Sequence, residues 1–147
     1  MFFSDTGGKF HPENFWKLES HRKEADLIVA MKVSWRDQWH RRLMTWTFNH
    51  MVSRYFGVQV RDIDSGFRLY RRKLAQLIAR QELTFRDLIN AEVTLRMLAQ
   101  GAHLQEVEVV ATFRPNQSRG MPLHRILDVV IHILYSIPRL KLDLNKS

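Results

Sequence analysis

The sequence predicts an α/β chain in which a mixed sheet is flanked by helices. Three observations carry that expectation. First, a helical stretch opened by Pro12 runs directly into Asp26–Val33, DLIVAMKV, an apolar, β-rich run of the kind that forms a strand buried on both faces. Helix followed by parallel strand is half of an α/β repeat. Second, Arg36–Phe56 is a long helical pattern in which Met44, Phe48, Met51 and Tyr55 recur at i, i+4, i+7 and i+11. Third, Val107, Val109, Ala111 and Phe113 alternate with Glu106, Glu108 and Thr112, the period-two signature of a strand with one buried face. The chain has 147 residues, which suits one domain with a real core, and its 45% apolar content argues for a folded protein.

Taken in order, Phe2–Ser4 reads as the end of a buried strand. Asp5–Lys9, DTGGK, is a tight polar loop at its carboxyl end, where open α/β sheets hold their ligands. Pro12 suits the first turn of a helix reaching about Ala25, with Phe15, Trp16 and Leu18 inward. Gly57 is placed to cap the long helix. Lys73–Arg80 gives a short helix with Leu74, Leu77 and Ile78 inward. Phe85–Gln100 gives another, with Leu88, Ala91, Leu95 and Leu98 on one face and Gly101 as its stop. Leu123–Ile137 is an amphipathic helix, too short and interrupted to span a bilayer of roughly 30 Å. Its His124, Asp128, His132 and Ser136 share one stripe, which reads as a plain polar face before it reads as a metal site. Arg125, Arg139 and Lys141 would let this helix lie in a membrane interface, and packing on the sheet is the alternative.

Chemistry is concentrated in Val60–Arg72, VRDIDSGFRLYRR, read as a connector between two helical patterns. Two carboxylates, a Ser65-Gly66 turn and Arg68 stand close together, as a site handling phosphates or hydroxyls needs. Gly66 implies a sharp turn that permits positive φ. The alternative is a polar loop feeding a helix, with Asp62 or Asp64 as its N-cap. A net charge of +8 favours anionic partners without choosing among phosphates, acidic lipids and nucleic acid. Trp35, Trp39 and Trp46 beside His40, Arg41 and Arg42 allow the long helix a nucleic-acid or membrane-surface role, against a helix packed by one face. The absence of cysteine excludes disulfides and thiolate metal sites.

Val60–Arg72 resembles the D-x-x-x-G-F-R segment of family 2 glycosyltransferases, in the polyprenyl-phosphate (dolichol-phosphate mannosyltransferase-like) branch. Ser4–Glu13 is similar to the segment carrying that family's metal-binding D-x-D. Leu43–Gly57 resembles the helix before the acceptor-side loop, and Phe113–Gly120, FRPNQSRG, the basic loop after the last strand. The resemblance implies residues 1–122 as the acceptor-side part of a GT-A (Rossmann-like) domain, with residues 123–147 an amphipathic helix and tail. The nucleotide-binding half would then be absent, as in a truncated or split enzyme, so turnover would depend on a separate N-terminal half or a homo-oligomer.

Residue by residue, the resemblance makes Asp62 the general base or acceptor-orienting group and Asp5 a ligand of Mg²⁺ or Mn²⁺. Gly7 replaces the second acidic ligand. Lys9, Arg68, Arg114 and Arg119 are the phosphate- or donor-binding candidates, with Asp64 and Glu92 ranked lower. Glu92 has a competing role, an i, i+4 surface pair with Arg96. Asn49 matches an Asn of the family helix and reads as structural. The expected reaction moves a sugar from a nucleotide sugar to a polyprenyl phosphate or related acceptor. With no signal peptide in the sequence, the expected place is the cytoplasm, at the cytoplasmic face of a membrane. The alternative is a non-catalytic basic module for a membrane surface or partner. Nucleic acid ranks lowest, because the positive charge is spread along the chain and no reader motif is present.

Overall fold

A computed structural model describes residues 1–5, 10–33, 39–83, 88–110, 131, 135 and 137–142. Its elements are β1 (Phe2–Ser4), α1 (Asn14–Ser20), β2 (Leu27–Val33), α2 (Trp39–Phe56), β3 (Phe67–Tyr70), α3 (Arg72–Ile78), α4 (Ile89–Ala99) and β4 (Leu104–Val110). The four strands form one mixed sheet in the order β1-β3-β2-β4. β3 runs antiparallel to both neighbours, with Phe3 opposite Arg68 and Arg68 opposite Val29. β2 and β4 pair in parallel along their whole length, from Leu27↔Leu104 to Val33↔Val110. The chain is thus α/β with an open mixed sheet and helices, a form compatible with a Rossmann-like arrangement.

The apolar run in β2 is continuous because both faces of the sheet are covered. Ile28 and Ala30 meet Leu18 of α1, together with Phe67, Leu69, Val107 and Val109. Leu27 and Val29 meet Ile78 of α3 and Met97 of α4 on the other face. A third cluster joins Val52 of α2, Val60, Ile63, Ala91 and Leu95 to Ile137 and Leu140. Each fully buried aliphatic side chain of this kind contributes about 2 kcal/mol. Gly57 and Gly101 end α2 and α4 with φ of 70° and 77°, the left-handed cap that glycine adopts without strain.

Several expectations are corrected. The connector contains a strand: Phe67–Tyr70 lies inside the sheet and is buried throughout. It escaped the sequence pattern because Arg68 sits at an interior position, where an alternating or apolar reading has no place for a cation. Phe2–Ser4 is an exposed edge strand rather than a buried one, and its neighbour is the later β3. α1 is shorter than predicted, and Trp16 points outward, 70% exposed, while Leu18 is buried. Leu77 is likewise exposed. On α2 the packed side is Asn49 and Val52 with Phe48 and Phe56, whereas Met51 and Tyr55 are exposed. Both flanks of that helix carry apolar residues, so periodicity alone could not orient it.

Candidate functional site

β1, β2 and β4 run in one direction, so the last residues of β1 and β2, with Asp5, and the turn before β3 share one end of the sheet. The resemblance pointed to two of these segments, and the fold brings them together. The Asp5 N–H donates to the Gly66 carbonyl at 2.8 Å. The Asp5 carboxyl covers Gly66 so closely that a Cβ there would lie 2.6 Å from Oδ2 and 2.8 Å from Cγ. Gly66 does not adopt positive φ, against expectation; glycine is required because Asp5 occupies the space of a side chain. Asp5 Oδ1 is buried and has no hydrogen-bond partner among the described residues.

The loop carrying Asp62 is held from every side. Glu106 of β4 accepts the N–H of Arg61 at 2.8 Å and of Asp62 at 2.9 Å through a single carboxylate oxygen. Asn49 of α2 accepts the Ile63 N–H, confirming its structural reading, and Ser65 Oγ donates to the Ala30 carbonyl of β2 at 2.6 Å. Asp64 Oδ1 accepts the Ala91 N–H at 3.3 Å, at the start of α4. Asp64 therefore ties the loop to α4.

Arg68 is fully buried. Its Nε donates to the Ser65 carbonyl, one terminal nitrogen donates to the Asn90 carbonyl and Thr94 Oγ1 (2.7 and 2.6 Å), and the other donates to the Ile63 carbonyl at 2.7 Å. The expected phosphate fork is instead a brace whose donors face the protein's own carbonyls. Burial lowers the Arg68 pKa, opposed by Tyr70 and Asp64. Arg71 pairs with Asp26 at 2.6 Å at the opposite end of the sheet.

Asp62 is half-buried, and its pKa is raised. Burial is the chief cause and the nearby Glu106 carboxylate adds to it, while Arg68, the Lys32 backbone N–H and the Lys32 charge oppose it. A carboxyl tuned this way can hold or exchange a proton with a neighbouring phosphate or hydroxyl, as general acid–base work requires. A groove of about 830 Å³ opens beside the loop, lined by Met31, Trp46, Asn49, Ser53, Arg61 and Glu106.

Glu92 and Arg96 form the expected pair, at 2.7 Å, but inside the protein rather than on its surface. Arg96 also reaches Gln81 Oε1 and the Glu82 carbonyl, which ties α4 to the segment after α3. Glu92 is thereby committed to a structural network. Lys9, Arg114, Arg119 and Gly7 lie outside the described residues, as does the His124–Asp128–His132–Ser136 stripe. Sequence reasoning missed Glu106, Thr94 and Lys32. Glu106 was read as the exposed phase of an alternating strand, and only the parallel pairing of β4 with β2 brings it to the loop.

An Mg²⁺ or Mn²⁺ ion is tested by what Asp5 offers. Its unpartnered oxygen suits one ligand position, and such ions are commonly held by one or two carboxylates plus substrate phosphate. No group of three potential ligand side chains comes together among the described residues. What the described residues offer such an ion is therefore a single carboxylate oxygen of Asp5, and the rest of its shell would have to come from phosphate oxygens and water. Among the described residues, no helix is long and apolar enough to cross a membrane. Comparison with protein-family models, with curated proteins and with solved structures gave no match.

Proposed function

We propose that this chain forms the acceptor side of a GT-A glycosyltransferase that moves a sugar from a nucleotide sugar onto a polyprenyl phosphate or related acceptor. The observation that carries the reading is the contact of Asp5 with Gly66. It joins the two segments that the resemblance implicates and leaves one Asp5 oxygen, beside the Asp62 loop, without a partner among the described residues. In the reaction, an acceptor phosphate oxygen bonds to the anomeric carbon as the bond from that carbon to the nucleoside diphosphate breaks. Asp62 takes the remaining proton of a monoanionic acceptor, whose second pKa is about 6, and orients the dianion once formed. Asp5 would hold the divalent cation, which supplies charge neutralisation to the leaving diphosphate when bound. Arg68 and Glu106 keep Asp62 in place. In this reading the donor's base and ribose are held by a part of the catalytic unit other than the residues described.

Calorimetric titration of the purified chain with farnesyl phosphate, using farnesol as the control, tests the acceptor side. Farnesyl phosphate is expected to bind and farnesol not to. Asp62→Ala is expected to weaken binding about tenfold or more, the worth of one hydrogen bond to a charged group. No binding by a folded chain, or equal binding by the variant, would refute the proposal. A non-catalytic membrane-surface module is the second reading, favoured by the exposed Trp39 and Trp46 of α2. It predicts vesicle binding without any preference of the chain for farnesyl phosphate over farnesol.

A further inference from the structure

Helix α2 has two unlike sides. Asn49, Val52 and Phe56 face the core and the Asp62 loop. Along one flank, Trp39, Leu43, Trp46 and His50 recur at i, i+4, i+7 and i+11, so they form a single row. That row is turned to solvent: Trp39 is 76%, Leu43 52% and Trp46 61% exposed. Hiding two tryptophans and a leucine would normally be favourable by a few kcal/mol, so their joint exposure along one line marks an interaction surface. The helix sequence, WHRRLMTWTFNHMVSRYF, has no acidic residue and includes Arg41, Arg42 and Arg54. At the end of α2, Lys141 donates to the Tyr55 carbonyl at 2.9 Å and sits over the Tyr55 ring, with Arg139 exposed nearby in sequence.

We infer that this flank of α2 docks the protein onto an anionic lipid bilayer. Charge complementarity selects a negative surface, because an 18-residue helix with three arginines and no carboxylate repels a basic partner. The side chains then select lipid over nucleic acid. Leu43 offers nothing to a phosphate backbone, and His50 already covers one face of the Trp46 ring (centroids 5.1 Å apart, planes 9° apart), leaving only the other for a base. Tryptophan and leucine in a basic helix are the composition that settles at the level of lipid headgroups. The length fits a helix lying in the interface: about 27 Å along its axis at 1.5 Å per residue, without the apolar content to span.

The geometry gives this docking a consequence. Trp46 also lines the groove that continues past Asn49 and Ser53 to Arg61 and Glu106. A bilayer held against the Trp39–His50 row therefore meets the groove where Trp46 and His50 line it. This inference stands on the exposure and charge of α2 and is independent of sugar transfer.

The test is sedimentation of the whole chain with extruded vesicles, of phosphatidylcholine alone or with one third phosphatidylglycerol, alongside tryptophan fluorescence. Binding is expected only to the anionic vesicles, with a blue shift, and is expected to weaken as salt rises. Leu43→Asp and Trp46→Asp, at exposed positions where the fold tolerates charge, are each expected to lower partitioning about tenfold or more. Trp16→Ala, an equally exposed tryptophan on α1, is expected to leave partitioning unchanged. Failure of the folded chain to bind anionic vesicles would overturn the inference, as would equal loss in Trp16→Ala or none in the α2 variants. Capture of single-stranded RNA that is lost with the same α2 substitutions, or self-association lost with them, would reassign the surface and also overturn it.

Discussion

Replacing Arg68 with alanine separates a brace from a ligand. In the native chain its guanidinium satisfies three interior carbonyls, those of Ile63, Ser65 and Asn90, and the Thr94 hydroxyl. The Asn90 carbonyl keeps the Thr94 hydroxyl as a donor at 2.8 Å, so alanine leaves chiefly the Ile63 and Ser65 carbonyls short of one, at about 1–3 kcal/mol each. Partial relief comes from no longer burying a cation, whose desolvation is already visible in the lowered Arg68 pKa. The net loss is therefore placed on the order of 4 kcal/mol, a large share of the roughly 5–15 kcal/mol that holds a domain together. For a chain of this size it corresponds to a fall in Tm of about 12 °C. Arg68→Lys would keep the charge, yet one ammonium cannot reach Ser65, Asn90 and Ile63 together, so more than half of the loss is expected to remain. Thermal and urea unfolding followed by far-UV circular dichroism measure both variants. If Arg68→Lys were as stable as the native chain and only phosphate binding suffered, Arg68 would be a ligand and the brace assignment would be wrong.

Gly66→Ala is expected to destabilise by about 1–3 kcal/mol, because its methyl would displace Asp5. Adding Asp5→Ala should restore part of that loss in a double-mutant cycle, and strict additivity would show that the two residues do not touch. Asp62→Asn is expected to stabilise the chain at pH 7. Burial raises the Asp62 pKa, so the folded state prefers the acid, and ionisation lowers stability as pH rises through the folded-state pKa. Urea unfolding should show that advantage shrinking as pH falls towards about 4, and a variant less stable than the native chain at pH 7 would contradict it. Glu92→Ala leaves Arg96 buried without its carboxylate and should cost about 3–5 kcal/mol in chemical unfolding, whereas Glu92→Met with Arg96→Leu should recover most of it.

The sequence was most legible where burial leaves a simple pattern. The unbroken apolar run of β2, the alternation leading to Val107 and Val109, and the stops at Gly57 and Gly101 all read through to structure. Legibility failed where a polar residue is interior. Arg68 hid β3, and Glu92 looked like half of a surface pair because no local pattern shows that Gln81 and Glu82 close over Arg96. Asp5 and Asp62 were both named from residue chemistry and resemblance. Their placement at one end of the sheet follows from the antiparallel seating of β3 between β1 and β2, a long-range pairing that no short window contains. Glu106 was missed for the same reason.

The most direct test concerns Asp5, whose Oδ1 has no partner among the described residues. UDP- and GDP-sugars should be titrated into the chain by calorimetry, with and without Mn²⁺, alongside Asp5→Ala. Weak binding that requires Mn²⁺ in the native chain and disappears in Asp5→Ala is the predicted result. Binding that ignores Mn²⁺ or survives the substitution, or no binding at all by a folded chain, would contradict a diphosphate-handling site at Asp5.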